Sequence, residues 1–266
     1  MRDIVDRDAL LGADGLELHV LASGSDGNCV VLRADGVSVM IDAGLSGRAI
    51  SRLASKAGLD LKDISAILIT HEHGDHVKGA GVLSRRFDIP VYANLQTFNA
   101  SNMGKVSDWV EFKTLSMFTI GSLHVKPLPT SHHAVRPSAF SFSFDGKKCL
   151  IATDLGKVTP EIQAELEKSD LAMLEANHDV DMLINGSYPQ FLKTLIKGER
   201  GHLSNTDCAE ALSRGDADGR KVFLAHISKN NNRPEIARRT VAASLGCSAD
   251  RLCCLEEDEI ECVTIP

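Results

Sequence analysis

Short apolar runs punctuated by glycine-rich turns open the chain. Leu16–Ser23, Cys29–Ala34 and Val37–Asp42 alternate or carry β-branched residues and are separated by GSDGN and ADG, which predicts a meander of two hairpins. The period then changes. Apolar residues at 49, 50, 53, 54 and 57 follow Ser46 at helical spacing, so Ser46–Ala57 is expected as a helix with Ser46 as N-cap and Gly58 as its stop. Ala66–Thr70 (AILIT) is apolar throughout, as a buried strand would be, and a helix over Val77–Phe87 and a strand over Val91–Ala93 follow.

Strands return between Trp109 and Ala152, most clearly at Leu123–Leu128, Ala139–Phe144 and Cys149–Ala152, with Asp145-Gly146 as a hairpin turn. Pro160–Glu167, Phe191–Ile196 and Thr206–Leu212 read as helices, Leu171–Glu175 and Lys221–Ala225 as strands, and a last helix begins near Pro234. Two strand-rich halves, each with helices to cover it, predict an α/β chain of two sheets packed face to face with helices outside. Periodicity alone leaves the strand order open.

Composition narrows the class. The 266 residues are 43% hydrophobic and 24% charged, as in ordinary globular proteins. A net charge of -7 means that a polyanion would need a local basic patch. Residues 193–239 hold ten Lys or Arg against six Asp or Glu and could supply one, with Lys193, Lys197, Arg200, Lys229 and Arg233 as candidates. Seven cysteines, odd in number and without a CxxC pair, fit reduced thiols used for packing. The N-terminus lacks the apolar run of a signal peptide, and no stretch approaches the ~20 apolar residues of a membrane span. The expected location is the cytoplasm, and no protein partner is readable.

His71-Glu72-His73-Gly74-Asp75-His76 directly follows the apolar run. In extended backbone, residues two apart project to the same side, so His71 and His73 can grip one ion together. Asp75 and His76, carried round into the next helix, can hold a second. A solvated polar loop is the plain alternative, but three His and one Asp in this arrangement arise by accident in about one such sequence per thousand. Four more residues sit where the chain leaves an expected strand: Asp42 in MIDAG, His132 in PTSHHA, Asp154 in IATDLG and His226 in FLAHIS. Singly, each would be a turn former or a satisfied polar side chain. Together they complete two sets, His71, His73 and His132 for one ion and Asp75, His76 and His226 for the other, with Asp154 bridging. Asp42 is expected to orient a ligand histidine rather than bind metal. Nitrogen and oxygen donors suit Zn or Mn without choosing between them. Two such ions, ~3.5–4 Å apart, would stabilise an attacking bridging hydroxide and a leaving oxygen together.

LASGSDGNCVVL, IDAGLSGRAI, THEHGDHVKGAGVLSRRFDIPVYAN, ATDLGKVTPEI, LEANHDVDML, GHLSNTDCAEAL and LAHISKNNNRPE resemble, in order, the YycJ (WalJ, VicX) family of bacterial proteins. That family lies within the metallo-β-lactamase superfamily, whose signature is HxHxDH with later His, Asp and His. The resemblance runs from about Leu16 to about Val241. It implies an αββα sandwich, two divalent metal ions, a cytoplasmic location and a 5′-to-3′ DNA exonuclease activity linked to mismatch repair. Residues 1–15 extend beyond the family's usual start, and 16–266 are expected as one domain with no room for an inserted nucleic-acid clamp. Where the family usually has SHDA, this chain has Ser131-His132-His133-Ala134; the ligand role carries over to His132.

Asp75, Asp154, His202 and Glu175 are the candidate catalytic residues, with His202 as general acid held by Glu175. His202 lies in GHLS at an expected helix start, where it could equally cap the loop or border a phosphate site. Ser228, Asn231 and Asn232 are candidates for substrate contact, although Asn is also a strong turn former before Pro234. The leading function is hydrolysis of DNA phosphodiesters, with DNA as substrate. A small-molecule hydrolase acting on a lactone, thioester or lactam would use the same ions, and a non-enzymatic accessory protein of a signalling system fits the full ligand set less well.

Overall fold

A computed structural model describes residues 15–215, 219–255 and 260–266; residues 1–14 of the expected N-terminal extension lie outside the described residues. β1 (Leu16–Ala22), β2 (Cys29–Ala34) and β3 (Val37–Ile41) pair antiparallel in succession, as the hairpin turns predict. Ser46 caps α1 (Gly47–Lys56) by accepting a hydrogen bond from Ala49 N at 3.3 Å. β4 (Ile64–Leu68) then runs parallel to β3 and is followed by α2 (Gly74–Val77), α3 (Ala80–Phe87), β5 (Val91–Ala93), α4 (Leu95–Ala100) and β6 (Trp109–Glu111). A second meander comprises β7 (Phe118–Ile120), β8 (Leu123–Pro129), β9 (Ser138–Phe144) and β10 (Lys147–Ala152). The chain continues through α5 (Pro160–Leu166), β11 (Leu171–Glu175), α6 (Val180–Asn185), α7 (Gln190–Ile196), α8 (Asn205–Ser213), β12 (Lys221–Ala225), α9 (Pro234–Leu245), β13 (Leu252–Cys254) and β14 (Glu261–Ile265).

These strands make two seven-stranded mixed sheets, ordered β14-β1-β2-β3-β4-β5-β6 and β13-β12-β11-β10-β9-β8-β7. Alternation assigns each strand two apolar faces. Leu18, Leu32, Leu68, Phe140, Phe142, Ile151, Met173 and Phe223 meet between the sheets. Val31, Met40 and Ile67 face outward under Ile50 and Leu83 of α1 and α3. On the other outer face, Leu150, Leu174 and Leu224 lie under Ile162, Leu212 and Val241 of α5, α8 and α9. Both faces of each sheet are thus covered, which is why the parallel strands read as near-continuous apolar runs. The architecture is the expected αββα sandwich. Among the described residues, no helix is long and apolar enough to cross a membrane.

Two local expectations need correction. The helix expected over Val77–Phe87 is divided into α2 and α3, because Gly79 N donates to Ala43 O at 2.7 Å and pulls the backbone against the 43–45 loop. A Cβ at Gly79 would stand 2.4 Å from Leu45 O, so the close approach requires glycine. The cysteines are all free, but Cys262 is exposed on β14 rather than packed inside.

The same loop presses on the histidine-rich turn. Gly44 N donates to Asn28 O, while Asn28 N donates to Asp75 O, both at 2.8 Å. A Cβ at Gly44 would fall 1.5 Å from Asp75 O. Gly44→Ala is therefore expected to force the backbone apart, at about 1–3 kcal/mol and ~2–12 °C in Tm by thermal unfolding. Gly74→Ala, where a Cβ meets nothing within 4 Å, is the control and should leave Tm nearly unchanged.

Candidate metal centre

Strand ends bring the polar residues together. β3 and β4 are parallel neighbours, with Ile41 opposite Leu68, so Asp42 and the turn that begins at Thr70 emerge side by side. In the second sheet β10, β11 and β12 are parallel, with Ala152 opposite Leu174 and Glu175 opposite Ala225. Asp154, Glu175 and His226 therefore leave the same edge. The chain turns sharply there: Asp42, Asp154 and His226 have φ of 59°, 58° and 55°, in the left-handed region that side chains with a Cβ seldom adopt.

Hydrogen bonds fix which nitrogen of each histidine carries its proton. Asp42 accepts from Thr70 N at 2.9 Å, from Thr70 Oγ1 at 2.8 Å and from His76 Nδ1 at 2.7 Å. Thr70 Oγ1, its hydrogen given to Asp42, accepts from His71 Nδ1 at 3.0 Å. His132 Nδ1 donates to Gly201 O at 3.1 Å, and His226 Nδ1 donates to Glu175 Oε1 at 3.0 Å. Each of these four rings thereby presents its Nε2 to the centre, the atom a metal ligand uses, although at His76 burial is outweighed by Asp42 and Asp154, which hold the ring well above the ordinary histidine value.

The free nitrogens converge. Donor atoms of His71, His73 and His132 lie within 4.8 Å of one another, as do those of Asp75, His76 and His226. Asp154 stands between the two sets: its carboxylate lies 3.3 Å from His76 Nε2, 3.6 Å from His132 Nε2 and 3.8 Å from His226 Nε2. Asp154 Oδ2 and His226 Nε2 are buried without a hydrogen-bond partner, which is costly in a protein interior unless a cation meets them. These residues therefore have the donors and the orphaned buried atoms of a divalent-metal site.

Charge in the centre is set by burial and by neighbours. Burial, reinforced by His76, holds His71 well below the ordinary histidine value, and burial likewise lowers His132; both favour the neutral, metal-binding ring. Burial would raise Asp154, but His226, His76, His71 and His132 outweigh it and keep the carboxyl well below the usual range. Glu175, fully buried, is drawn down to about 2 because His202 and His226 outweigh its desolvation. His202 responds in the opposite sense: burial lowers it, yet Glu175, 2.7 Å from its Nδ1, and Asp154 carry it up to about 9.

Every residue expected at the ions and Asp42 beside them is found in this cluster, and Glu175 grips His226 as well as the expected His202. His132 is buried within it, whereas His133 is exposed. Ser204 caps α8 by accepting from Asp207 N at 3.1 Å, so His202 is not the cap. Ser228, Asn231 and Asn232 are buried in the turn after β12 instead of facing an open surface. Asn232 Nδ2 donates to Ala176 O and Asn205 Oδ1, both at 2.8 Å, tying β11 to α8, and Ser228 Oγ accepts from Asn231 N at 3.3 Å. The basic strip is partly committed elsewhere. Lys193 Nζ donates to Ile184 O and Gly186 O, and Lys229 pairs with Asp26 at 2.6 Å. Asn177, which follows a strand in EANHD without an expected role, donates from Nδ2 to His226 O at 2.9 Å, and two supports are absent from the sequence reading: Thr70, and Asn28, held by Gly24 with its Nδ2 3.0 Å from His76 Nε2. Only Asn28 had a signal, since GSDGN is longer and more polar than a simple hairpin turn needs.

The chain matches the Beta-lactamase superfamily domain over residues 38–227. It is 39% identical over 236 residues to the exodeoxyribonuclease YycJ of Bacillus anthracis, covering 87% of this chain and 89% of that one. Against the exodeoxyribonuclease WalJ of Streptococcus pneumoniae it is 38% identical over 238 residues, 87% and 88% of the two chains. In fold it is similar to the metallo-beta-lactamase fold protein YhfI from Bacillus subtilis, with a TM-score of 0.72 at 14% identity over 93% of this chain and 100% of that one. Zn(2+)-bound PqqB from Methylobacterium extorquens gives 0.68 at 15% identity over 92% and 99%. The chain belongs to the beta-lactamase superfamily and, within it, to the family of the YycJ and WalJ proteins.

Proposed function

We propose that the protein is a metal-dependent DNA exonuclease working from the 5′ end, in the cytoplasm, with a role in DNA repair. The observation that carries this reading is the near full-length similarity to two exodeoxyribonucleases in a chain that also assembles both ligand sets. Seven free thiols suit a reducing compartment.

His71, His73 and His132 would hold one ion, Asp75, His76 and His226 the other, and Asp154 both. When bound, Zn or Mn ions would lower the pKa of a water to near 7 and polarise the phosphoryl group whose phosphorus that water attacks. The protein's own groups supply the rest. Asp42 and Thr70 hold His76 and His71 in the binding tautomer. His202, positively charged at neutral pH through Glu175, keeps its Nδ1 proton hydrogen-bonded to that carboxylate, donates its Nε2 proton to the leaving oxygen and is reprotonated from solvent afterwards.

Purified protein handled without chelator should approach two ions per chain by elemental analysis; a reproducible value of one after reconstitution with Zn or Mn would count against the shared site. Asp154→Ala should abolish most turnover while circular dichroism stays native, and His132→Ala should be far more damaging than His133→Ala. End-labelled duplex DNA, single-stranded DNA, RNA and a lactone panel, resolved by product, test the substrate class. Cleavage of lactones alone would overturn the nuclease reading.

His202→Ala should slow DNA cleavage by roughly 10²–10⁴-fold and cleavage of a nitrophenyl phosphodiester much less, because a good leaving group needs little protonation. Its raised pKa gives the sign of the pH effect. The acid form is present below about 9 and is lost as pH rises through that value, and bound cations draw it lower. Wild-type turnover should therefore fall on the alkaline side, a limb that His202→Ala removes. Equal losses on both substrates, or loss of an ion, would assign His202 to another role.

A further inference from the structure

α7 is unusual among the helices because it buries none of its residues. Phe191 is 74% exposed and Leu195, one turn on, 46%. Among the described residues, Phe191 is the one aromatic side chain among the large exposed hydrophobics. A lone exposed apolar side chain is ordinary, but this one sits on a helix that is fastened at both ends. Lys193 Nζ donates to Ile184 O at 2.8 Å and Gly186 O at 2.7 Å, binding the helix to the end of α6. At its other end, Ile196 O accepts from His202 N at 2.8 Å. Phe191 lies five residues before Ile196, about 7.5 Å along the helix axis at 1.5 Å per residue.

Between α7 and the centre runs a cationic rim. Arg200 is exposed and lies across the 132–134 loop, donating from Nε to His132 O at 3.1 Å and from Nη2 to Ala134 O at 3.2 Å. Lys197 is also exposed, and Glu199 is balanced by Lys157 at 2.7 Å. The rim therefore carries positive charge on a protein of net charge -7. A polyanion with flat apolar groups at regular intervals complements both features: charge meets the rim and a ring meets Phe191. An unpaired DNA strand has that chemistry, whereas a duplex keeps its base faces stacked on each other.

We propose that Phe191 is a stacking platform for an unpaired base of the DNA strand whose phosphodiester reaches the metal centre, so that the protein draws on single-stranded ends. This rests on the nuclease reading and adds the form of the substrate. The test compares binding, in Ca²⁺ to withhold turnover, of a thymidine oligomer and an abasic oligomer of equal length. Wild type should bind the thymidine oligomer roughly 5- to 150-fold more tightly, equivalent to ~1–3 kcal/mol for one stacked base. Phe191→Ala should close that ratio, Phe191→Trp should keep it, and Phe191→Leu, apolar but without a π-face, should close it too. The slope of log Kd against log salt should be the same in all four proteins, since no phosphate contact is removed.

No base preference in wild type, or a preference retained by Phe191→Ala or Phe191→Leu, would overturn the platform while leaving the nuclease reading intact. Dimers of wild type that Phe191→Ala converts to monomers, with base preference unchanged, would make the patch a contact between copies. Failure of both oligomers to bind at low salt while duplex DNA is still cleaved would overturn the platform alone, and failure of single strands and duplex alike to bind would remove the nuclease reading with it.

Discussion

A carboxylate as deeply buried as Glu175 needs hydrogen-bond donors around it, since an unpaired charge in a protein interior costs several kcal/mol. Four donors answer. His202 Nδ1 and His226 Nδ1 stand 2.7 and 3.0 Å from Oε1, and Leu155 N and Leu203 N lie 2.5 and 3.4 Å from Oε2. One side chain at the end of β11 thereby positions the loop after β10, the end of β12 and the approach to α8. It sets the tautomer of an expected ligand and the proton of an expected acid at once. The two roles are coupled through Oε1, so a change at either histidine alters the field felt by the other.

Asp42 does the corresponding work in the first sheet. Its three acceptor contacts order Thr70 and His76, and through Thr70 they order His71. The site is consequently built from two rigid halves, each organised around its own buried acid, and the sheets bring them face to face. Asp154 crosses from the second half towards the first, with His76 its nearest histidine partner at 3.3 Å.

Much of this was legible because the chemistry is local in sequence. HEHGDH names four donors in six residues, and Asp154 and His226 follow short apolar runs of the kind that buried strands show. Element types were equally readable where a cap and a period agreed, as at Ser46 and α1. What escaped depends on contacts between distant segments. The break at Gly79 is made by Ala43 O, and the inward turn of Lys193 by the carbonyls that end α6. α4 and α6 have six residues each, too few for a hydrophobic period to repeat, although Asn94 and Asp179 cap them as such residues commonly do. Asn231 and Asn232 offered both substrate contact and a turn before Pro234, and their burial, with that of Ser228, goes with the turn.

The left-handed backbone at Asp42, Asp154 and His226 bears on how such a protein would drift under selection. Each position holds a residue with a Cβ where glycine would rest more easily, at a cost of order 1 kcal/mol or more. A lineage selected only for folding would gain by relaxing Asp154, whose Oδ2 has no hydrogen-bond partner, to glycine and would lose the centre as it did so, whereas Asp42 and His226 are kept by the buried groups they pair with. A descendant that kept the sandwich while shedding its chemistry should therefore show glycine first at the end of β10, long before its core changed.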